Sequence, residues 1–504
     1  MRKVTRARLG RREFLMGSAA GAAMLSLKGT AGLAQTVQPP INSIPKGATF
    51  RWVDSGDQKA VFFKKFFADY AADRGIEVIY DPLPWNEIAK VVPLGVRNGT
   101  AHDVFVTPRN VSLADAVAQG WVQPYDEFIP NIEEWKANFP AGAFLPGINE
   151  FEGKTYGLPF TSNKRYGTHL LYNKQYVADA GFDPEAKPLT QSEFREAARK
   201  ITEAGQGRYF GFILGGSQLN RWAQSVRNLA RMAGASAGGD SVLDADIDLR
   251  TGEYVFDSDA YIAAIELLIA MRDDGSFFPG LMNLNAPQAR AYMPQGAAGM
   301  ILQGPWNIPS WEGQNPDFDF GVSSGPVPDS GPVGKLTISQ GGAAPNTISL
   351  FSGSENGAIA GDIFHYLGTL EGQTAWANIV GAGDPPIMPE AVAQADMSPR
   401  SKQILELFND QIRVGPNPIV RNGDLAKVIG TFVAPDVNFA RTVQGLVAGE
   451  LTDVPGEMKK LSDNYNASLD AAFAAATAEG AKVDRADLVF TNWNPDVDFA
   501  ASDY

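Results

Sequence analysis

From Thr49 onward, short apolar stretches alternate with longer stretches of helical spacing, and no other feature constrains the fold as tightly. Phe50-Arg51-Trp52-Val53 has the composition of a strand, residues 59–74 carry apolar positions at helical intervals, and Ile76-Glu77-Val78-Ile79-Tyr80 reads as a second strand. His102-Asp103-Val104-Phe105-Val106 follows as a third. This alternation predicts an α/β fold with a mainly parallel sheet. Ligands of such sheets bind beyond the carboxyl ends of the strands. Those ends are Asp54-Ser55-Gly56-Asp57 and Thr107-Pro108-Arg109-Asn110, two polar clusters placed to face a crevice. Polar residues also follow strands in most α/β loops, so the clusters alone do not define a site.

Further along, residues 190–204, 223–233 and 259–274 read as long helices, and residues 323–342 as a Gly-, Pro- and Ser-rich crossover. Residues 357–370, 398–412 and 437–449 read as further amphipathic helices. The segment from Lys482 to Tyr504 has no clear helical period and reads as an extended tail that wraps a lobe, or as disorder. A chain of 504 residues is too long for one core, and two large lobes are expected.

The chain opens with a basic stretch, Gly10-Arg11-Arg12-Glu13-Phe14-Leu15-Met16, followed by an apolar Gly/Ala-rich run, Lys28 and a small-residue site at Gly32-Leu33-Ala34. Basic, apolar and small segments in that order mark residues 1–34 as an export signal. The arginine pair and the basic Lys28 favour the twin-arginine route over an ordinary secretory signal. The mature chain is then expected to start near Gln35 and to work in the periplasm. Past the signal, no run approaches the roughly 20 apolar residues of a membrane span. Without the signal, 36 basic residues stand against 56 acidic ones, a net charge of about −20. So acidic a chain argues against nucleic acid or an anionic membrane as partner. It suits solubility, or alternatively a cationic ligand. Cysteine is absent, which excludes thiol catalysis, disulfides and Cys-based metal sites.

The run Ala298-Gly299-Met300-Ile301-Leu302-Gln303-Gly304-Pro305-Trp306 ends on a flat aromatic held by a Gly-Pro corner, a position suited to stacking on a ligand. Four segments then fall in a telling order. Gly153-Lys154-Thr155-Tyr156-Gly157-Leu158-Pro159-Phe160 leads into Leu170-Leu171-Tyr172-Asn173-Lys174. Gln295-Gly296-Ala297-Ala298-Gly299-Met300 leads into Gln303-Gly304-Pro305-Trp306. Asp319-Phe320-Gly321-Val322 precedes Gly341-Gly342, and Glu371-Gly372-Gln373 precedes Gly383-Asp384-Pro385-Pro386-Ile387. Together they resemble the extracellular solute-binding proteins of bacterial ABC importers, in the carbohydrate-binding family that includes maltose-binding protein.

The resemblance implies a two-lobed periplasmic-binding-protein fold of type II-like topology, with hinge strands and a ligand cleft between the lobes. It implies one lobe from residues 48–163 plus 335–395, a second from 164–334 plus 396–480, and a tail over 481–504. It further implies a monomer that closes around ligand and delivers it to membrane permease subunits. Position by position, Trp306 matches a stacking tryptophan, with core packing as the other reading. Trp222, beside Asn220, lies where the family places second-lobe aromatics, although a tryptophan opening a helix is as often core. Tyr166 falls in the crossing segment, and Asp54, Asp57, Arg109 and Asn110 correspond to first-lobe polar contacts. Thr107 stands where an aromatic would lie in maltose-binding protein, and no aromatic after Pro416-Asn417-Pro418 matches its late stacking tryptophan. A maltodextrin is therefore not supported.

An aromatic and polar mixture suits a sugar. Rings pack on its apolar face, and each buried hydroxyl left unpaired would cost roughly 1–3 kcal/mol. Catalytic alternatives find little purchase. His102, His169 and His365 form no paired metal motif, no G-x-S-x-G elbow occurs, and Gly147 to Gly153-Lys154-Thr155 has one residue too many for a phosphate loop. A glycosidase would need two positioned carboxylates, which so acidic a chain could supply anywhere. No catalytic residue, metal or cofactor is expected. Among ligands a small neutral carbohydrate comes first, an acidic sugar or polyol next and a polyamine last. Arg109 would repel a polyamine that Asp54 and Asp57 would attract.

Overall fold

The computed structural model describes residues 38–504 apart from 57, 109, 110, 240–242, 244 and 340–346. The export signal, Asp57, Arg109 and Asn110 thus lie outside the described residues. Along the chain run β1 (Thr49–Asp54), β2 (Glu77–Pro82), β3 (Val104–Val106), β4 (Val122–Gln123), β5 (His169–Asn173) and β6 (Phe210–Ile213). They are followed by β7 (Ala298–Gln303), β8 (Phe320–Ser323), β9 (Leu336–Ser339), β10 (Ile348–Phe351) and β11 (Ile412–Gly415). Two short hairpins, Glu150–Phe151 with Lys154–Thr155 and Ile247–Asp248 with Glu253–Tyr254, stand apart.

The strands form two main sheets, as a two-lobed α/β fold requires. One has the order β2-β1-β3-β10-β4, and the other β8-β5-β7-β6. In the first, β1 is parallel to β2 and β3, while β10 runs antiparallel to β3 and β4. In the second, β7 is parallel to β6 and antiparallel to β5. A third, two-stranded sheet pairs β9 with β11 in parallel, Leu336 opposite Ile412. The chain leaves the first sheet after β4, builds the second through β8, and returns at β10.

Each sheet has its own core. The helix Lys59–Arg74 lays Phe62, Phe63, Phe66, Phe67 and Tyr70 onto the first, and Gly75 stops it in the left-handed conformation that glycine adopts freely, with φ 67°. Trp52 and Phe63 pack at 5.0 Å between ring centroids, and Trp376 closes on Phe63 at 5.6 Å. The second core gathers Leu170, Phe212, Trp222, Val226, Tyr261, Leu446 and Leu469. A further cluster joins Tyr166, Ile301, Ile308 and Phe408 to Ala377 and Ala382. Ala377 directly follows Trp376 of the first core on the helix Leu370–Val380, so this cluster adjoins that core.

Two readings of local structure change. Residues 357–370 are not one helix, because Thr369 accepts a cap bond from the Gly372 N–H at 3.1 Å and divides the stretch into Gly357–Leu367 and Leu370–Val380. Gly368 also lies where a Cβ would come within 2.4 Å of the Trp135 ring. The longest helix, Val454–Ala478, was not anticipated at all. The tail is packed rather than disordered, with Phe490, Trp493 and Phe499 buried in the second core. Its Phe499 N–H donates to the Val414 carbonyl at 2.7 Å, and Asp498 accepts from the Val414 N–H at 2.7 Å and from Lys164 at 2.9 Å. Among the described residues no helix is long and apolar enough to cross a membrane.

Candidate ligand-binding site

β1 ends on Asp54, which is buried. Its carboxylate accepts bonds from Trp52 Nε1 at 3.1 Å, the Gly56 N–H at 2.7 Å and the Tyr80 hydroxyl at 2.9 Å. Burial pushes its pKa up, against Lys59, the Gly56 N–H, Tyr80 and Trp52, which favour the anion. The turn requires Gly56, at φ 67°, since a Cβ there would stand 2.9 Å from Pro82. Asp54, the expected ligand contact on this strand, has its carboxylate bonded to Trp52, Gly56 and Tyr80 at the end of β1.

Next to it, Lys59 approaches Asp384 at 3.7 Å and lies 5.7 Å from the centre of the Trp85 ring. Asp384 is also bonded by Gln58 at 3.5 Å and by Arg165 Nη1. The same guanidinium nitrogen donates to the Gly383 carbonyl at 2.7 Å, and Trp376 Nε1 donates to the Asp384 carbonyl at 2.7 Å. Three charged side chains, two of them almost fully buried, thus hold one another at the carboxyl edge of the first sheet.

On the second lobe, β7 runs into Gly304-Pro305-Trp306. The half-buried Trp306 indole rests against Gly304, where a Cβ would lie 2.2 Å from the ring. Its outer edge approaches Gly167, where a Cβ would meet the ring at 3.1 Å, Gln224 Oε1 at 3.6 Å and Arg221 Nη1 at 3.8 Å. Arg221 stands 5.4 Å from the ring centre and donates to Gln224 at 3.3 Å. Two missing side chains therefore bring an indole, a guanidinium and an amide together. Asn220 is exposed on the first turn of the same helix, Leu219–Met232.

Arg165-Tyr166-Gly167 joins the two halves. Arg165 holds Asp384, and Gly167 lies under the Trp306 edge. Tyr166 is buried, donates its hydroxyl to Gln411 and packs on His169 with centroids 3.9 Å apart. Burial raises the Tyr166 pKa above its ordinary value, so the hydroxyl stays protonated.

Trp222 belongs to the core instead. It is 0% exposed, its Nε1 donates to the Gly216 carbonyl at 2.8 Å, and it packs toward Phe277. The spacing of Trp222, Val226 and Leu229 on one helix face was the signal for this. Sequence reasoning missed Gln58, Lys59, Arg165, Arg221, Gln224 and Asp384. Asp384 lies within the Gly383–Ile387 segment and Arg165 between Phe160 and Leu170, but nothing local pairs them. Among the described residues no group of acidic or histidine side chains could hold a metal ion.

Two α/β sheets whose carboxyl-terminal edges are tied through one connecting segment define a two-lobed binding protein. The chain matches the bacterial extracellular solute-binding proteins over residues 56–374 and belongs to that family, whose members bind solutes rather than transform them. Proteins of Brucella abortus and Brucella suis named as binding proteins are 24% identical over 297 residues, 59% of this chain. The match spans 66% of their length, just under two thirds.

Solved structures share the fold. A solute-binding protein from Thermotoga lettingae, bound with α-D-tagatose, superposes with a TM-score of 0.62 at 21% identity, covering 84% of this chain and 100% of that one. The GacH receptor of Streptomyces glaucescens, solved unliganded and with acarbose, gives 0.60 at 17% identity over 84% and 99%. The Thermus thermophilus maltotriose-binding protein, bound with maltotriose, gives 0.58 at 20% identity over 85% and 100%.

Proposed function

We propose that the protein binds a small carbohydrate in the periplasm and hands it to the permease of an ABC importer. The observation that carries this reading is the half-buried Trp306 indole, set beside Arg221 and Gln224 and joined to the first lobe through Arg165-Tyr166-Gly167. A flat apolar face flanked by hydrogen-bonding groups is what a sugar ring presents to and requires of its site. The fold neighbours solved with tagatose, acarbose and maltotriose support the same class. Asp57, Arg109 and Asn110 are proposed to complete the first-lobe side, with Asn220 at the rim. The lobes are proposed to divide at residues 163/164, 334/335 and 395/396, in keeping with the return of β10 to the first sheet. Export by the twin-arginine route and a monomeric state belong to the same proposal. An acidic sugar is the second reading, favoured by Arg221 beside the indole.

A thermal-shift screen with D-tagatose, maltose, maltotriose, D-glucuronate and spermidine tests it. A ligand at a hundred times its Kd stabilises the folded state by about 2.7 kcal/mol, which raises the melting temperature measurably. A shift with a sugar is the expected result; a shift with spermidine alone would sink the carbohydrate reading. Trp306→Ala is expected to weaken binding of the responsive sugar by about 1–3 kcal/mol while the unliganded melting temperature stays near that of wild type. Calorimetric titration reads the affinity, and thermal melting of the unliganded variant reads its stability.

A further inference from the structure

His169 and Gln303 are register partners across β5 and β7, so their side chains stand on the same face of the second sheet. Both sit at the sheet edge from which the chain continues to Trp306. Both are 0% exposed. Neither ring nitrogen of His169 and neither amide atom of Gln303 has a hydrogen-bond partner among the described residues. Asn307 is equally buried; its Nδ2 donates to the Gly304 carbonyl at 3.0 Å, while its Oδ1 has no partner among them. His169 is held between Tyr166 and Phe408, at centroid distances of 3.9 and 5.1 Å. The apolar cluster around these rings includes Ala377 and Ala382, so the polar set lies where the lobes meet.

A buried polar group without a partner costs roughly 1–3 kcal/mol, and native proteins tolerate few of them. Several at one edge, beside the candidate ligand platform, work against stability and point to use. We propose that His169, Gln303 and Asn307 form the inner hydrogen-bonding layer of the ligand site, reached when the lobes part, and that this layer selects an uncharged, hydroxyl-rich ligand. Burial holds the His169 pKa down at about 3, so its imidazole is neutral, with one donor and one acceptor. Gln303 adds donors and an acceptor, and Asn307 an acceptor. Hydroxyls, which both donate and accept, match that mixture. A carboxylate or an ammonium would be buried there without a compensating charge.

The inference rests on the carbohydrate reading, and His169→Phe and Gln303→Met separate the two. Titration calorimetry with the four neutral sugars D-glucose, D-tagatose, maltose and maltotriose and with D-glucuronate, together with melting of the unliganded proteins, supplies the readout. Each variant is expected to bind the sugar that wild type binds at least tenfold more weakly, while its unliganded melting temperature stays level or rises. A merely structural role would instead move the melting temperature and leave affinity untouched, overturning the inference alone. Wild-type protein that binds none of the four sugars, or prefers D-glucuronate, overturns it together with the neutral-sugar reading. Gln303→Met is the milder change and carries the test by itself where His169→Phe does not fold.

Discussion

Asp384→Ala is expected to destabilise the folded protein by about 3–5 kcal/mol, because it removes the carboxylate on which two cations converge and leaves them desolvated. Lys59 and Asp384 have side chains only 6% and 5% exposed, and Arg165 is 16% exposed. An ion pair on the surface would be worth no more than about 1 kcal/mol, so the size of the loss distinguishes the two situations. Denaturant unfolding of the unliganded protein measures it. The Asp384 backbone would still accept from Trp376, which confines the change to the charge cluster. A loss below about 1 kcal/mol would mean that water reaches Lys59 and Arg165 in solution. Ligand affinity is expected to fall as well, since Arg165 precedes the two residues that meet His169 and the Trp306 edge.

Trp222→Ala is expected to cost about 3–5 kcal/mol of stability with ligand affinity unchanged, the opposite of the pattern for Trp306→Ala. The indole is wholly enclosed, its nitrogen is bonded within the lobe, and the truncation leaves a cavity that the neighbouring helix can only partly fill. The same titration and unfolding measurements made on both variants decide the matter. A Trp222 variant that folds normally but loses ligand would return that residue to the site.

The two tryptophans also show what could be read in the chain. Both follow glycines; the Gly304-Pro305-Trp306 motif favours Trp306 as a ligand contact, whereas Trp222 at the opening of a helix reads equally as ligand contact or core. Helical spacing with Val226 and Leu229 separates Trp222 from the site, whereas Trp306 follows a strand and carries no such neighbours. The helix Lys59–Arg74 was legible from end to end because its aromatic face repeats regularly and Gly75 stops it. Val454–Ala478 escaped notice because alanines occupy much of it, including the buried Ala472 and Ala476, and they dilute the contrast between its faces. The helix Trp85–Asn98 carries Pro93 inside it, a residue that normally argues for a break. Asp384 was beyond reach for another reason. Its partner Arg165 lies 219 residues away, and no local pattern encodes a contact over that separation.

The placement of β10 has a consequence for the order in which the molecule can assemble. It lies between β3 and β4, and the Thr347 carbonyl that precedes it meets Thr107, 240 residues earlier in the chain. Until that stretch exists, β3 and β4 are open edges able to pair with other chains. The core of the second sheet has a similar dependence, because Leu170 and Phe212 share it with Phe490, Trp493 and Phe499 from the end of the chain. Neither lobe can therefore mature on a growing chain before its partner is nearly made. Contacts this distant close slowly and leave intermediates with exposed apolar surface. Refolding from denaturant is accordingly expected to be slow and to lose yield steeply as protein concentration rises, with both lobes regaining structure in one phase.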